Sequence, residues 1–456
     1  MTKNLNLAQK LLVIFSITGG SILLISYAAF SKDYEAWIYM NFVSWFLLIS
    51  TSILLRESLL SLYFFYFGVV FILPPIILSP DNFLTNGLIL KAIYLPHDKW
   101  SIILSIISTF LVVAILSLFF TVNEEKIRER NLYSGEIKFK FLFYSLFFLS
   151  FFSVVSFNIK EALAVFNEGY GALKSGELSV QKSLLTFLLE LCFISMSIIL
   201  IYLRRFIWLP FFIIYTLTLI FVGERLPPIL FLFFLVFYYL RIPYSSISIV
   251  IVCILFFFLG APVLMFIAAF REGADLTTQD FLYYYEDFWI VVGHSFDTLK
   301  AVVMEIDNEM DVEISPFARL YKIVDVIFLR LFETDLSITT NSFGEEFTKA
   351  LDPLMLEMNR TFSSSGIAES FYFFGYFGIL IYNAIIILVM NIIKINSVIR
   401  SPQNLMIVVV FAASFFQTVR GELYGGIIDA LMEILFLSPF ILIFSSVFLI
   451  KLSKKS

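Results

Sequence analysis

Three arginines stand where a membrane chain ordinarily avoids positive charge. Arg225 closes VGER, Arg271 lies in FREG and Arg420 in VRGE, each at the end of an apolar run. An arginine next to hydrocarbon is costly and usually faces a cavity or a partner. Its planar fork matches phosphate oxygens, at roughly 1.5–3 kcal/mol per charge-assisted hydrogen bond. Three such groups could clamp a lipid diphosphate just outside a bilayer. Each also has an acid beside it, Glu224, Glu272 and Glu422, so neutralising ion pairs or snorkelling side chains are the plainer alternative.

A transfer reaction also needs a group that handles a proton. His294, Glu224 and Glu369 are the candidates. The helical spacing of Phe281, Leu282, Tyr285, Phe288, Trp289, Val292, Phe296 and Leu299 defines an apolar stripe, and His294 lies opposite it with Tyr283 and Asp287. An imidazole with a pKa near ~6.5 could accept a proton from a sugar hydroxyl; a solvated histidine is the plainer reading. Tyr283, Tyr284, Tyr285 and Trp289 suit stacking on sugar rings, and an interfacial aromatic belt explains them equally well. Glu369 falls about one turn inside an apolar run that follows NSFGEEF (Asn341–Phe347) and sits within NRTFSSSGIAESFYFFGYFG (Asn359–Gly378). That polar, glycine-containing stretch reads as the rim of a sugar-binding cavity or as a capped helix start, and Gly375 and Gly378 permit close helix contact.

Other chemistries find little support. Glu305, Asp307, Glu309, Asp311 and Glu313 alternate with other residues, but Met310 stands where a calcium loop of the EF-hand type needs its turn glycine. The chain has two histidines and two cysteines, and Cys192 and Cys253 both lie in apolar runs. No metal-ligand spacing and no glycine-rich nucleotide cradle is present. The expectation is therefore no metal, no cofactor and no nucleic-acid partner, which argues against a cytoplasmic nucleotide-sugar enzyme and against an ATP-driven pump.

The elements that must position these residues are membrane helices. Of 456 residues, 60% are hydrophobic and 15% charged, with mean hydropathy +0.93; a soluble domain would carry about 25% charge. Apolar runs of about 18–25 residues recur from end to end, so the fold class is an all-α polytopic membrane protein, one transmembrane domain over 1–456. About twelve spans centre near 10–30, 37–55, 58–79, 100–121, 139–157, 183–203, 205–222, 227–240, 247–269, 367–392, 404–419 and 427–450. With the N-terminus inside, the inner segments hold 16 Lys and Arg against 8 in the short outer loops. Both termini are then cytoplasmic and the three arginines face outward.

One segment departs from a plain bundle. Residues 270–366, between spans nine and ten, carry 18 acids and 7 bases. A second apolar stripe, Phe317, Leu320, Tyr321, Val324, Ile327, Phe328 and Leu331, follows the first. The pattern predicts a long outer loop holding two amphipathic helices laid along the membrane–water boundary.

The GER turn, NSFGEEF, GIAESFYFFGYFG, VRGE and the late outer loop together resemble the O-antigen polymerases, the Wzy-type oligosaccharide repeat-unit polymerases, in organisation over most of the chain. The resemblance implies a bacterial inner-membrane glycosyltransferase of the GT-C class, metal-independent, acting at the periplasmic face on undecaprenyl-diphosphate-linked oligosaccharides. The chemistry of the residues fits that role independently: Arg225, Arg271 and Arg420 are expected at the diphosphate, and His294 or Glu224, then Glu369, at the attacking hydroxyl; the resemblance also implies a chain-length regulator as partner. Two rivals share the architecture: an O-antigen ligase, and a flippase or other transporter of lipid-linked oligosaccharides.

Overall fold

The computed structural model describes residues 7–55, 57–78, 99–121, 135–168, 182–223, 226–240, 263, 265–267, 288–289, 292, 295–308, 343–351, 365–396, 401–421 and 423–451. Nearly all of these are helical: α1 (Leu7–Ser31), α2 (Tyr34–Leu54), α3 (Ser58–Phe71), α4 (Leu73–Ile77), α5 (Trp100–Ser117), α6 (Lys140–Glu168), α7 (Leu184–Tyr202), α8 (Trp208–Val222), α9 (Leu226–Leu240), α10 (Ser295–Asn308), α11 (Phe343–Leu351), α12 (Gly366–Asn396), α13 (Pro402–Gln417) and α14 (Leu423–Phe448). A three-residue antiparallel ladder, β1 (Gly135–Ile137) with β2 (Leu449–Lys451), ties the start of α6 to the end of α14.

Among the described residues, seven helices are long and apolar enough to cross a bilayer, and three shorter apolar helices accompany them. Leu12, Leu23, Phe30, Phe141, Leu149, Leu388 and Leu442 stand exposed on these helices. Water would not tolerate so much uncovered apolar surface, whereas lipid tails accept it without cost. The chain is thus a polytopic all-α membrane protein.

Lipid gives helices no hydrophobic reason to associate, so close packing and internal hydrogen bonds hold the bundle. Trp37 Nε1 on α2 donates to Ser108 Oγ on α5 at 2.8 Å, and Ser108 Oγ donates to Asn41 Oδ1 at 2.7 Å. Trp45 Nε1 donates to the Phe64 carbonyl of α3 at 2.7 Å. A methyl at Gly68 would lie 1.9 Å from the Trp45 ring, so only glycine lets the indole reach that carbonyl.

Two expectations change. The run 367–392 is not one straight span. Gly375 has φ +57° and ψ −143°, and the helix reverses there. A methyl at Gly378 would fall 1.8 Å from the Ser370 carbonyl oxygen, and one at Gly366 would fall 2.8 Å from the Tyr382 ring. In a straight helix, Gly366 and Tyr382 would be about 24 Å apart. So 366–374 forms a half-helix packed antiparallel on the span that starts at Tyr376. At about 1.5 Å per residue, 376–396 still covers about 30 Å, enough to cross.

The second change concerns the segment 270–366, expected as an outer loop. The first amphipathic helix was expected to lie along the membrane boundary, but its end, which forms the start of α10, is packed within protein: every residue from Phe296 to Val303 is buried. Its charges allow this. Lys300 Nζ lies 3.5 Å from Asp297 Oδ1 one turn away and 5.5 Å above the Trp100 ring, so both charges are compensated locally. The stripe 317–331 lies outside the described residues.

Candidate active site

The half-helix of α12 brings polar groups to the corner where α13 turns into α14. Ser365, fully buried, caps it: its Oγ accepts from the Ala368 N–H at 3.2 Å, satisfying one of the donors that a helix start leaves open. The Gly366 N–H donates to the Thr418 carbonyl at 2.9 Å. The same carbonyl receives the Tyr382 hydroxyl at 3.4 Å, and that hydroxyl lies 2.7 Å from the Tyr63 hydroxyl of α3. Tyr63 is held by stacking on Phe415 and by an edge contact with Phe416.

Glu369 lies one turn into the half-helix and is 3% exposed. Its Oε2 accepts the Leu423 N–H, the first residue of α14. An anion at a helix start is favoured by both the open N–H and the helix dipole. Between Thr418 and Leu423 lies Arg420, half-buried, its N–H bonded to the Gln417 carbonyl at 3.0 Å. Its guanidinium acts electrostatically on the buried Tyr66 hydroxyl, one turn along α3 from Tyr63. Three α12 groups (the Gly366 N–H, Glu369 and Tyr382), two α3 tyrosines and the α13–α14 turn thus converge on one polar region among apolar helices.

Of the residues singled out in the sequence, Arg420 and Glu369 are brought together here. Arg225, Arg271, His294 and Glu224 lie outside the described residues, as do Glu272, Glu422 and Tyr283. The sequence reading missed Tyr63, Tyr66, Tyr382 and Thr418. The available signal was slight: two tyrosines three apart in an otherwise apolar helix, and YN in the middle of GILIYNAII. Hydroxyls on one helix face inside lipid need partners, and that requirement marks an internal face.

Other buried charge lies elsewhere. Glu190 of α7 pairs with Lys182 and accepts the Tyr215 hydroxyl at 2.7 Å. Glu57, before α3, pairs with Lys394 near the far end of α12 and accepts the Thr121 hydroxyl at 2.8 Å. On α10, Glu305 accepts the Tyr372 hydroxyl of the half-helix at 3.2 Å, and burial pushes its carboxyl above the usual range against the lowering effect of that bond. Among the described residues, no group of three or more His, Cys, Asp or Glu could hold a metal ion.

Compared with known proteins, residues 12–452 match the family described as O-antigen polysaccharide polymerase Wzy, nearly the whole chain. No curated protein and no solved structure is detectably similar.

Proposed function

The chain belongs to the O-antigen polysaccharide polymerase family, and from that premise we propose that it joins undecaprenyl-diphosphate-linked repeat units at the periplasmic face, on the Arg420 side of the bundle. It is then a multi-pass protein of the bacterial inner membrane with both termini in the cytoplasm. The observation that carries the reading is Arg420, a half-buried cation held at an interhelical corner lined by tyrosine hydroxyls.

In the proposed reaction, a hydroxyl oxygen of the incoming unit attacks the anomeric carbon of the growing chain. The new glycosidic bond forms, the bond from that carbon to the carrier diphosphate breaks, and the diphosphate leaves with the electron pair. The hydroxyl proton passes to a base, for which His294 and Glu224 are the proposed residues. Negative charge grows on the leaving diphosphate, so fixed positive charge there lowers the barrier. Arg225, Arg271 and Arg420 fill that role in a metal-independent glycosyltransferase of GT-C type. The outer-loop segment, with α10 docked on the bundle, supports exclusion of water, the competing nucleophile. A chain-length regulator is the proposed protein partner.

Lipopolysaccharide banding in a deletion strain tests this reading. Complementation with the wild type restores a ladder, and Arg225→Ala or Arg420→Ala, present at wild-type level in the membrane, leaves single repeat units on the core. A full ladder from both variants overturns the assignment of the arginines. If the deletion leaves no repeat units on the core, a ligase or a transporter replaces the polymerase.

A further inference from the structure

We infer that Glu369 is a positioning residue for Arg420: its carboxylate fixes the α13–α14 turn so that the guanidinium faces the diphosphate. The inference rests on the reading of Arg420 proposed above and reassigns a residue that the sequence offered as a proton acceptor.

The geometry is a two-point clamp. Gly366 and Glu369 are three residues apart, so they lie on one face of the half-helix. That face meets the turn on both sides of Arg420. The Gly366 N–H holds the Thr418 carbonyl, two residues before, and the Glu369 carboxylate holds the Leu423 N–H, three residues after. The Tyr382 hydroxyl adds to the first anchor from the span that follows the reversal. Both anchors come from α12 and both act on backbone, so they fix the path of the chain through Arg420.

The fit allows little slack. A methyl at Gly366 would lie 2.8 Å from the Thr418 carbonyl oxygen, and one at Gly426, in the first turn of α14, would lie 2.9 Å from Thr418 Cγ2. A carboxylate bonded to a helix-start N–H is stabilised as the anion. Glu369 is 3% exposed and bound in this way, an arrangement suited to holding a turn. A small displacement of a charge that stabilises a leaving group is expensive, because the stabilisation depends on preorganised geometry.

The test uses the full-length protein in membranes or detergent with lipid-linked repeat units, measuring initial rates of chain extension. Glu369→Gln keeps an oxygen that accepts the Leu423 N–H and discards the charge; Glu369→Ala discards both. The expected result is a loss of tenfold or more in Glu369→Ala, at least a third of the wild-type rate in Glu369→Gln, and a pH profile for Glu369→Gln that superposes on the wild type. In an Arg420→Lys background, which retains a cation but not the fork, Glu369→Ala costs less than threefold, since the geometry it protects is already lost.

Glu369→Gln as inactive as Glu369→Ala, with the acid limb of the pH profile moved, overturns the inference and returns Glu369 to proton transfer. Full activity in Glu369→Ala alongside an inactive Arg420→Ala overturns it while leaving the site reading intact. Full activity in Arg420→Ala overturns the site reading and the inference together. Where Glu369→Ala fails to accumulate, the comparison of Glu369→Gln with the wild type decides alone.

Discussion

The two ends of α12 hold buried charge in different ways. Near its C-terminal end, Lys394 pairs with Glu57, both side chains 2% exposed; Thr121 donates to the same carboxylate, and Asn391 donates to the Phe120 carbonyl at 3.1 Å. The acid stands just before α3, the hydroxyl just after α5 and the base on α12, and they answer one another. At the N-terminal end Glu369 accepts a backbone N–H of the α13–α14 turn, and Arg420 lies half-buried in that turn. The first is a clamp that lets three helices cross lipid together. The second places a cation at the edge of the protein's interior, which is what an anionic substrate requires. A buried ion pair is therefore no signature of function by itself; the informative feature is a cation carried on a turn whose backbone is anchored from a neighbouring helix on both sides.

The sharpest break in this comparison is at Lys394. Lys394→Met leaves Glu57 without its cation and costs about 3–5 kcal/mol, whereas Glu57→Leu with Lys394→Met recovers most of the loss. Thermal unfolding in detergent reads both, and the specific activity of folded protein stays at the wild-type level.

Arg420→Ala should show the opposite profile. Chain extension falls about 100-fold, or ~3 kcal/mol at ~1.4 kcal/mol per tenfold, while the unfolding midpoint moves far less than in Lys394→Met. Equal midpoints for the two variants would erase the distinction between clamp and site.

Gly375→Ala tests the reversal that brings Glu369 to the turn. No atom lies within 4 Å of the added methyl, so the cost is backbone strain at φ +57°, about 1–3 kcal/mol. Gly378→Ala adds a clash with the Ser370 carbonyl. Both variants are expected to lose chain extension beyond what their melting shifts explain.

The smallest effect belongs to Glu305, whose carboxyl is held above the usual range mainly by burial. The folded state binds this proton more tightly than the unfolded one. Its stabilising contribution is therefore present at acid pH and is lost as pH rises from the usual carboxylate range through the raised value. Glu305→Gln flattens that part of the stability profile by less than ~1 kcal/mol, since the group is only partly buried.

Legibility in the sequence followed the physics of each signal. Apolar runs need only counting, so a polytopic helical membrane protein was plain. The excess of acids over 270–366 led to the expectation of an outer loop, most of which lies outside the described residues, and Phe296 and Leu299, read as part of an apolar stripe, are buried. That α10 enters the bundle was not visible, because Asp297 and Lys300 are residue types that argue against burial, and the Trp100 ring beneath the ammonium comes from far away in the chain. Arg420 and Glu369 were found as residue types near helix ends, but their partnership with the Thr418 and Leu423 backbone was hidden. Backbone donors and acceptors are the same at every position, so no residue type announces them.

By itself, then, the sequence determined the class of solvent the chain inhabits, the approximate extents of its helices and the unusual arginines at their ends. These follow from local composition and from the cost of charge in lipid. Only the tertiary structure decided that 366–396 folds back at Gly375, that Lys394 reaches Glu57, and that Glu369 meets the start of α14. A straight and a reversed helix satisfy the same local rules in an apolar run of this length. The choice rests on whether a glycine methylene can lie against the Ser370 carbonyl and whether a distant N–H awaits the carboxylate, and both are facts about neighbours in space.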